Sequence, residues 1–251
     1  MRRPSVLVFA GADPSGGAGI AADILAIAAL GAHALPVITA LTVQDNDRVF
    51  EVLPVDADVV LRQARALAGK IAIGAVKIGI PGNRANADTI AAVICSLRRD
   101  NPDLPVVLDP VLASGAGDHL SSIDALAPLL PLASVLVPNL PEARVLGALA
   151  HDAVNLLVTG GHADGAMVVN RWQGEGGERA WRWPRLAGEF HGSGCTLAAA
   201  IAARLACGDA MESALTAAQA YCHRALESAY SIAAGQRIPQ RCLSTSSQGS
   251  P

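Results

Sequence analysis

Aromatic side chains are scarce in this chain: three Trp, two Tyr and three Phe among 251 residues. A core with so few rings must be aliphatic, and 51% of the residues are apolar, chiefly Ala, Val, Leu and Ile. Charge of one sign is also lacking. A formal charge of -3 leaves no basic footprint for a nucleic acid and no attraction to an anionic membrane surface. Long apolar runs are missing too, because charge, Gly or Pro interrupts each before the ~20 residues that a membrane span needs. The opening "MRRPSVLVFA" has an apolar stretch too short for a signal peptide and no cleavage-like flank, so a cytoplasmic protein is expected. Five cysteines, at 95, 195, 207, 222 and 242, form an odd set with no C-x-x-C pair. That excludes a disulfide framework and a zinc site of the usual spacing. Cys95, Cys207 and Cys222 fall within apolar helical patterns as small hydrophobes, whereas Cys195 has unusual neighbours.

What is present is alternation. Short β-rich runs (5–10, 36–43, 74–80, 105–111, 134–139 and 155–161) alternate with stretches of helical spacing at 19–31, 57–69, 87–100 and 121–130. Residues 47–56 read as an extra strand, and 167–186 as a hairpin turning at "GEGG". Two helices follow, at 193–207 and 210–233. The pattern predicts one domain over 1–238, a central mostly parallel sheet with helices on both faces, then a polar, disordered tail at 239–251. Such sheets bind ligands at the carboxyl ends of their strands.

Most of the unusual residues fall at those ends. "GADPSGGAGIAAD" (11–23) places Gly11, Asp13 and Gly17 between the first strand and its helix. Its glycines can turn N–H groups toward a ligand and Asp13 or Asp23 can bond a polar substrate, or the segment is a tight turn into a helix. It is not a phosphate loop of the Lys-Ser/Thr kind. Gln44 and Asn46 end the second strand; a carboxamide both donates and accepts, which suits a heteroaromatic ring, although a loop Gln is commonly just solvated. Lys77 lies within an apolar strand and must snorkel or pair. Asp109, in "VVLDPV", sits at a strand end facing the crevice. With Asn139 and Glu142 of "VPNLPEA" it can hold the water shell of Mg²⁺, or the two latter residues serve as helix caps. Thr159, Gly160 and Gly161 follow another strand, where the backbone can pass beneath a nucleotide phosphate. In "HGSGCT" (191–196), Gly192, Ser193 and Gly194 leave the N–H groups of a first helical turn open, an anion hole backed by the helix dipole. The same field predicts a lowered pKa for Cys195, which could be a nucleophile, a redox switch or a proton-handling group. His191 reads equally as a turn residue or a catalytic one.

Taken in order, "AGADPSGGAGIAAD", "VITALTVQD", "VKIGI", "VVLDPV", "VPNLPEA", "GGH" and "HGSGCTLAAAIAA" resemble the hydroxymethylpyrimidine/phosphomethylpyrimidine kinases of thiamine biosynthesis, within the ribokinase superfamily. The resemblance runs from about residue 5 to 230. It implies a ribokinase-like three-layer α/β/α sandwich and ATP-dependent phosphorylation of 4-amino-5-hydroxymethyl-2-methylpyrimidine and then of its monophosphate. It also implies Cys195 as general base, Gly192, Ser193 and Gly194 at the transferring phosphoryl group, and Gly11, Asp13, Gly17 and Gln44 around the aminopyrimidine. ATP is expected near Asn139, Glu142, Thr159 and Gly161, Mg²⁺ at Asp109 and Glu142, and a homodimer as the assembly.

The chain departs from this pattern in three places. Thr159 stands where the family usually has a lysine, and "LASGAG" after Asp109 lacks another. Lys77, Arg144 or Arg171 would have to replace those charges. The connection at 140–154 is short, which is expected to leave apolar surface uncovered. A pyridoxal-type small-alcohol kinase and a non-catalytic pyrimidine-binding protein therefore stay open beside the pyrimidine kinase.

Overall fold

The computed structural model describes residues 2–242 apart from 115, 116, 119 and 152. One nine-stranded sheet organises the chain. Its strands are β1 (Ser5–Ala12), β2 (His33–Gln44), β3 (Val49–Pro54), β4 (Ala75–Ile78), β5 (Val106–Leu108), β6 (Val135–Leu136), β7 (Asn155–Val158), β8 (Met167–Gly174) and β9 (Gly177–Pro184), in the order β3-β2-β1-β4-β5-β6-β7-β8-β9. The six strands from β2 to β7 pair in parallel. The edge strand β3 and the β8–β9 hairpin are antiparallel.

The alternation of apolar residues along β1 explains the layers. Val6, Val8 and Ala10 face a core with α1 (Gly19–Ala29), α7 (Ser193–Ala206) and α8 (Met211–Glu227). Leu7 and Phe9 face a second core with α2 (Ala57–Ala68), α3 (Arg84–Asp100) and α4 (Ile123–Leu126). Both faces are covered by helices, as parallel strands require. On α7, Ala198, Ala199, Ala200, Ala202 and Ala203 are fully buried, so this helix lies close against the sheet and its neighbours.

Several boundaries differ from the sequence expectation for local reasons. Helix α3 begins at Arg84 because the Asn83 side chain accepts from the Asn86 N–H at 2.9 Å. Helix α4 has only four residues, since Pro128 follows and cannot continue the backbone ladder. Helix α8 stops at Glu227 rather than 233. The short 140–154 connection folds as α5 (Leu140–Leu146) and α6 (Ala148–His151), leaving Val145, Leu149 and Val154 exposed. The packed body also runs past residue 238: Arg241 is 1% exposed, so 239–242 are not a free tail. The remainder of the expected tail, 243–251, lies outside the described residues.

After β1 the chain adds β2 on one side, and β4 later returns to the other side. The carboxyl ends of β1 and β4 therefore border the crevice where strand order reverses.

Candidate active site

Two cavities open at that end of the sheet. The smaller, about 180 Å³, is lined by Gly11, Asp13, Gln44, Lys77, Gly79 and Cys195 among others. The larger, about 440 Å³, lies toward the β8–β9 hairpin and is lined by Gly161, Trp183, Arg185, Gln219 and His223 among others. Four residues border both: His162, Phe190, Ser193 and Gln236. The start of α7 is thus the meeting point.

Gly192 is a glycine by necessity. Its φ is +76°, and a Cβ there would overlap the Gly17 carbonyl oxygen. Thr196 N donates to Gly192 O at 2.9 Å, closing the first turn of α7. The N–H groups of Ser193, Gly194 and Cys195 ahead of it have no acceptor within the helix. These residues stand where the cavities meet: Ser193 borders both, and Gly192, Gly194 and Cys195 line the smaller.

The β1–α1 segment behaves differently. Asp13 accepts from Ser15 N (2.8 Å), Ser15 Oγ (2.9 Å) and Ala18 N (2.7 Å), and His191 Nε2 donates to it at 2.8 Å. Gly16 N donates to Asp13 O and Gly17 N to Ser15 Oγ. The N–H groups of Ser15 to Ala18 are thus engaged within the loop. Asp13 borders the smaller cavity but acts as the organiser of its own turn, tied to the α7 approach through His191. Burial raises its carboxyl, but the bonds from His191, Gln44, Ser15 and Ala18 outweigh this and hold it well below the usual carboxylate range. Asn46 is also occupied: its Nδ2 donates to Ala234 O and Gln236 O, tying the β2–β3 turn to the C-terminal segment.

Beneath the α7 start lies a buried charge cluster. Lys77 pairs with Asp23 of α1 at 2.8 Å, both fully buried. Burial opposes the ammonium charge, yet Asp23, Cys195 and Asp109 around it push the Lys77 pKa above its ordinary value. Asp109 is 5% exposed, and a Cβ on Gly194 would lie 3.7 Å from its Oδ2. That oxygen has no hydrogen-bond partner among the described residues. Burial pushes Asp109 up to about 6, against the pull of Lys77. Glu142 is pushed up to about 7, by burial and then by the Asp109 charge.

Asn139 and Glu142 form a capping box on α5: Asn139 Oδ1 accepts from Glu142 N (2.9 Å), and Glu142 Oε2 accepts from Asn139 N (2.8 Å). The capping reading of these two residues is thus realised.

The lowered pKa expected for Cys195 is not found. The residue keeps some open surface toward the cavity but is densely packed behind, and desolvation pushes the thiol up to about 11. Lys77 pulls down, while Asp109 and Asp23 push up. Burial beside two carboxylates thus outweighs the pull of Lys77 and of the Gly19 N–H.

The substitutes for the missing lysines also sort themselves. Thr159 is held by Pro138 through its N–H, and neither it nor the exposed Arg144 and Arg171 lines either of these two cavities. Gly160 N is engaged by Asn170 Oδ1, leaving Gly161 at the larger cavity. Lys77 reaches the smaller cavity from inside its ion pair. Sequence reasoning missed Arg185, which lines the larger cavity and donates to the carbonyls of Gly161, Ala163 and Gly165. It also missed Gln236 and Arg241, because their segment looks merely polar.

The chain is similar to known proteins over most of its length. The family described as phosphomethylpyrimidine kinase matches residues 13–240. The hydroxymethylpyrimidine/phosphomethylpyrimidine kinase of Rhizobium meliloti is 39% identical over 256 residues, covering 92% of this chain and 93% of that protein. Among solved structures, phosphomethylpyrimidine kinase from Clostridium difficile superposes with a TM-score of 0.71 at 28% identity, over 90% of this chain and all of that one. Pyridoxal kinase from Staphylococcus aureus, in complex with AMP-PCP and pyridoxal, superposes with a TM-score of 0.83 at 26% identity, over 96% of this chain and 94% of that one.

Proposed function

The chain belongs to the phosphomethylpyrimidine kinase family, and on that premise we propose that it transfers the γ-phosphoryl group of ATP to hydroxymethylpyrimidine and then to phosphomethylpyrimidine, in thiamine biosynthesis. The observation that carries this reading is the junction of two cavities at Ser193, with open N–H groups where a phosphoryl group would pass. The smaller cavity takes the pyrimidine, with Gln44 at its wall to read ring nitrogen and amino group. The larger takes the nucleotide, its Trp183 and His223 rings 5.0 Å apart at the adenine end.

Phosphoryl transfer has a loose transition state, so positioning and charge neutralisation outweigh deprotonation. The substrate hydroxyl oxygen forms the new bond to phosphorus, the bond to the ADP oxygen breaks, and the hydroxyl proton leaves late. Cys195 is the proposed acceptor. It rests as a thiol and acts through its minor thiolate form, whose population Lys77 favours. A base in this setting contributes about 10²–10⁴ in rate. The N–H groups of Ser193, Gly194 and Cys195 hold the developing phosphoryl charge.

The donor set fits Mg²⁺, which takes one or two carboxylates and leaves the remaining positions to water and phosphate. Asp109 is the carboxylate that would hold it, through its unpartnered buried oxygen, whereas both oxygens of Glu142 already accept from the N–H groups of Asn139 and Leu112. When bound, Mg²⁺ supplies neutralisation of phosphate charge. The exposed Leu41, Val43, Phe50 and Leu53 of β2 and β3 offer an apolar face to a second copy in a homodimer, and a cytoplasmic enzyme accords with the lack of a membrane-crossing helix among the described residues.

The test follows ADP release by purified protein with Mg-ATP and either hydroxymethylpyrimidine or pyridoxal. Turnover of the pyrimidine alone, or with far higher kcat/KM, is expected. Preference for pyridoxal supports the small-alcohol kinase instead, and saturable pyrimidine binding without turnover supports the binder. A Cys195→Ala variant is expected to lose about 10²–10⁴ in kcat. Full activity in it removes the general-base role while leaving the kinase reading intact.

A further inference from the structure

Arg241 is the largest fully buried side chain described, and it comes from a segment that the sequence marks as a polar tail. Its Nε donates to Thr196 Oγ1 at 2.9 Å, and its Nη2 donates to Gly17 O at 2.5 Å and Gly192 O at 3.4 Å. Thr196 Oγ1 in turn donates to Gly192 O at 2.7 Å. One guanidinium thus gathers the carbonyls of two glycine-rich segments that are 175 residues apart, drawing both peptides backward. Because a peptide plane is rigid, fixing the Gly192 carbonyl fixes the N–H of Ser193 on its opposite edge. Gly192, with φ of +76° and no side chain, would otherwise have several orientations open to it.

The charge is as informative as the bonds. Among the described residues no carboxylate stands in ion-pair range of Arg241, and its Nη1 lacks a hydrogen-bond partner. A buried guanidinium whose direct partners are carbonyls and a hydroxyl, with the Asp23 carboxylate acting on it only from beyond ion-pair range, is costly for folding. Its position behind the α7 start gives that charge a use: an anion at the open N–H groups would add a close countercharge to the more distant one of Asp23. This also answers the absence of the two family lysines, since a cation beneath the loop acts on the same phosphoryl group from the other side.

We propose that Arg241 is a positioning residue for phosphoryl transfer, clamping the Gly17 and Gly192 peptides so that the N–H groups at the α7 start face the transferring group, with its charge behind them. The role rests on the kinase reading above.

The test uses the full chain with Arg241→Met, Arg241→Lys and, as a control, Tyr221→Phe. Tyr221 Oη donates to Arg241 O at 2.8 Å, so its loss loosens the segment but keeps the guanidinium. Steady-state kinetics is read beside calorimetric binding of ADP alone and of Mg-ADP with aluminium fluoride, a planar phosphoryl mimic. Arg241→Met should lower kcat and mimic affinity about 10²-fold, the scale of a lost oxyanion donor, while pyrimidine KM and ADP affinity stay within roughly threefold. Arg241→Lys should recover about tenfold of that loss, because an ammonium keeps the charge but not the fork. Tyr221→Phe should keep kcat within about twofold, since a tether is not a donor to the reacting group.

A Met variant that melts earlier yet turns over normally below its melting temperature overturns the proposal. So does an equal loss of ADP and mimic affinity. If the Met variant does not fold, Arg241→Lys decides: unchanged kcat and mimic affinity overturn it. Wild-type protein without pyrimidine turnover sinks the kinase reading, while the mimic-binding arm still judges Arg241.

Discussion

Two glycine-rich segments face each other across the site, and they use their backbones in opposite ways. Both follow a strand or hairpin, both enter a long helix, and both contain glycines with positive φ (Gly16 and Gly19 in one, Gly192 in the other). In the β1–α1 segment an internal aspartate engages the N–H groups, so the loop is finished before any ligand arrives. Both helix starts lack a first-turn acid and a side-chain cap. What differs is the approach, because among the described residues no carboxylate ahead of α7 takes up the backbone as Asp13 does ahead of α1. Glycine before a helix permits an anion site; a carboxylate in the approach takes the donors first.

The sharpest way to break this contrast is Gly192→Ala. The new Cβ meets the Gly17 carbonyl and the backbone is left-handed, so a destabilisation of about 2–4 kcal/mol is expected from overpacking and backbone strain together. Turnover should fall by about 10²–10³ with the loss of donor alignment, measured below the melting temperature of the variant. An activity near wild type would mean that the α7 start is not the anion hole.

Asp13→Asn probes the other segment, with a smaller effect. It removes charge-assisted bonds to Ser15, Ala18 and His191, and a loss of about 1–3 kcal/mol is expected in urea unfolding at neutral pH. The pH dependence has a definite sign. A carboxyl held below its unfolded value of 3.8 stabilises the fold fully above that value, and the contribution fades as pH falls below it. The acid limb of the stability profile should therefore be shallower in Asp13→Asn than in wild type. Identical limbs would remove the organising role.

Gly16→Ala should do least. Its φ is +73° but nothing lies within 4 Å of the added Cβ, so only the left-handed backbone penalty of about 1–2 kcal/mol is expected. Turnover should stay within about twofold, because the N–H of Gly16 already bonds within the loop and is no donor to the reacting group. A large fall in kcat would show that the first segment also holds the phosphoryl group.

The layers were legible because aliphatic alternation in β1, β2 and β7 and helical spacing in α1, α3 and α7 express burial directly. The position of the site was legible as well, since Gly11, Gln44, Cys195 and Gly192 all fall at the carboxyl end of the sheet. What escaped depended on partners far away in sequence. The helix field at Cys195 could be read from "GSGC", but not the carboxylates of Asp109 and Asp23 that fold beneath it. Lys77 announced that it needed a partner without naming Asp23, 54 residues earlier. Arg241, separated from Gly17 by 224 residues, carried no local signal at all.

That separation bears on the order in which the enzyme is made. The first strand, its loop and every glycine of the site are translated before residue 200, yet the clamp on them follows the α7 start by nearly fifty residues. A nascent chain long enough to form the sheet still lacks its buried guanidinium, so on the proposed role of Arg241 the α7 start is the last part of the site to be fixed.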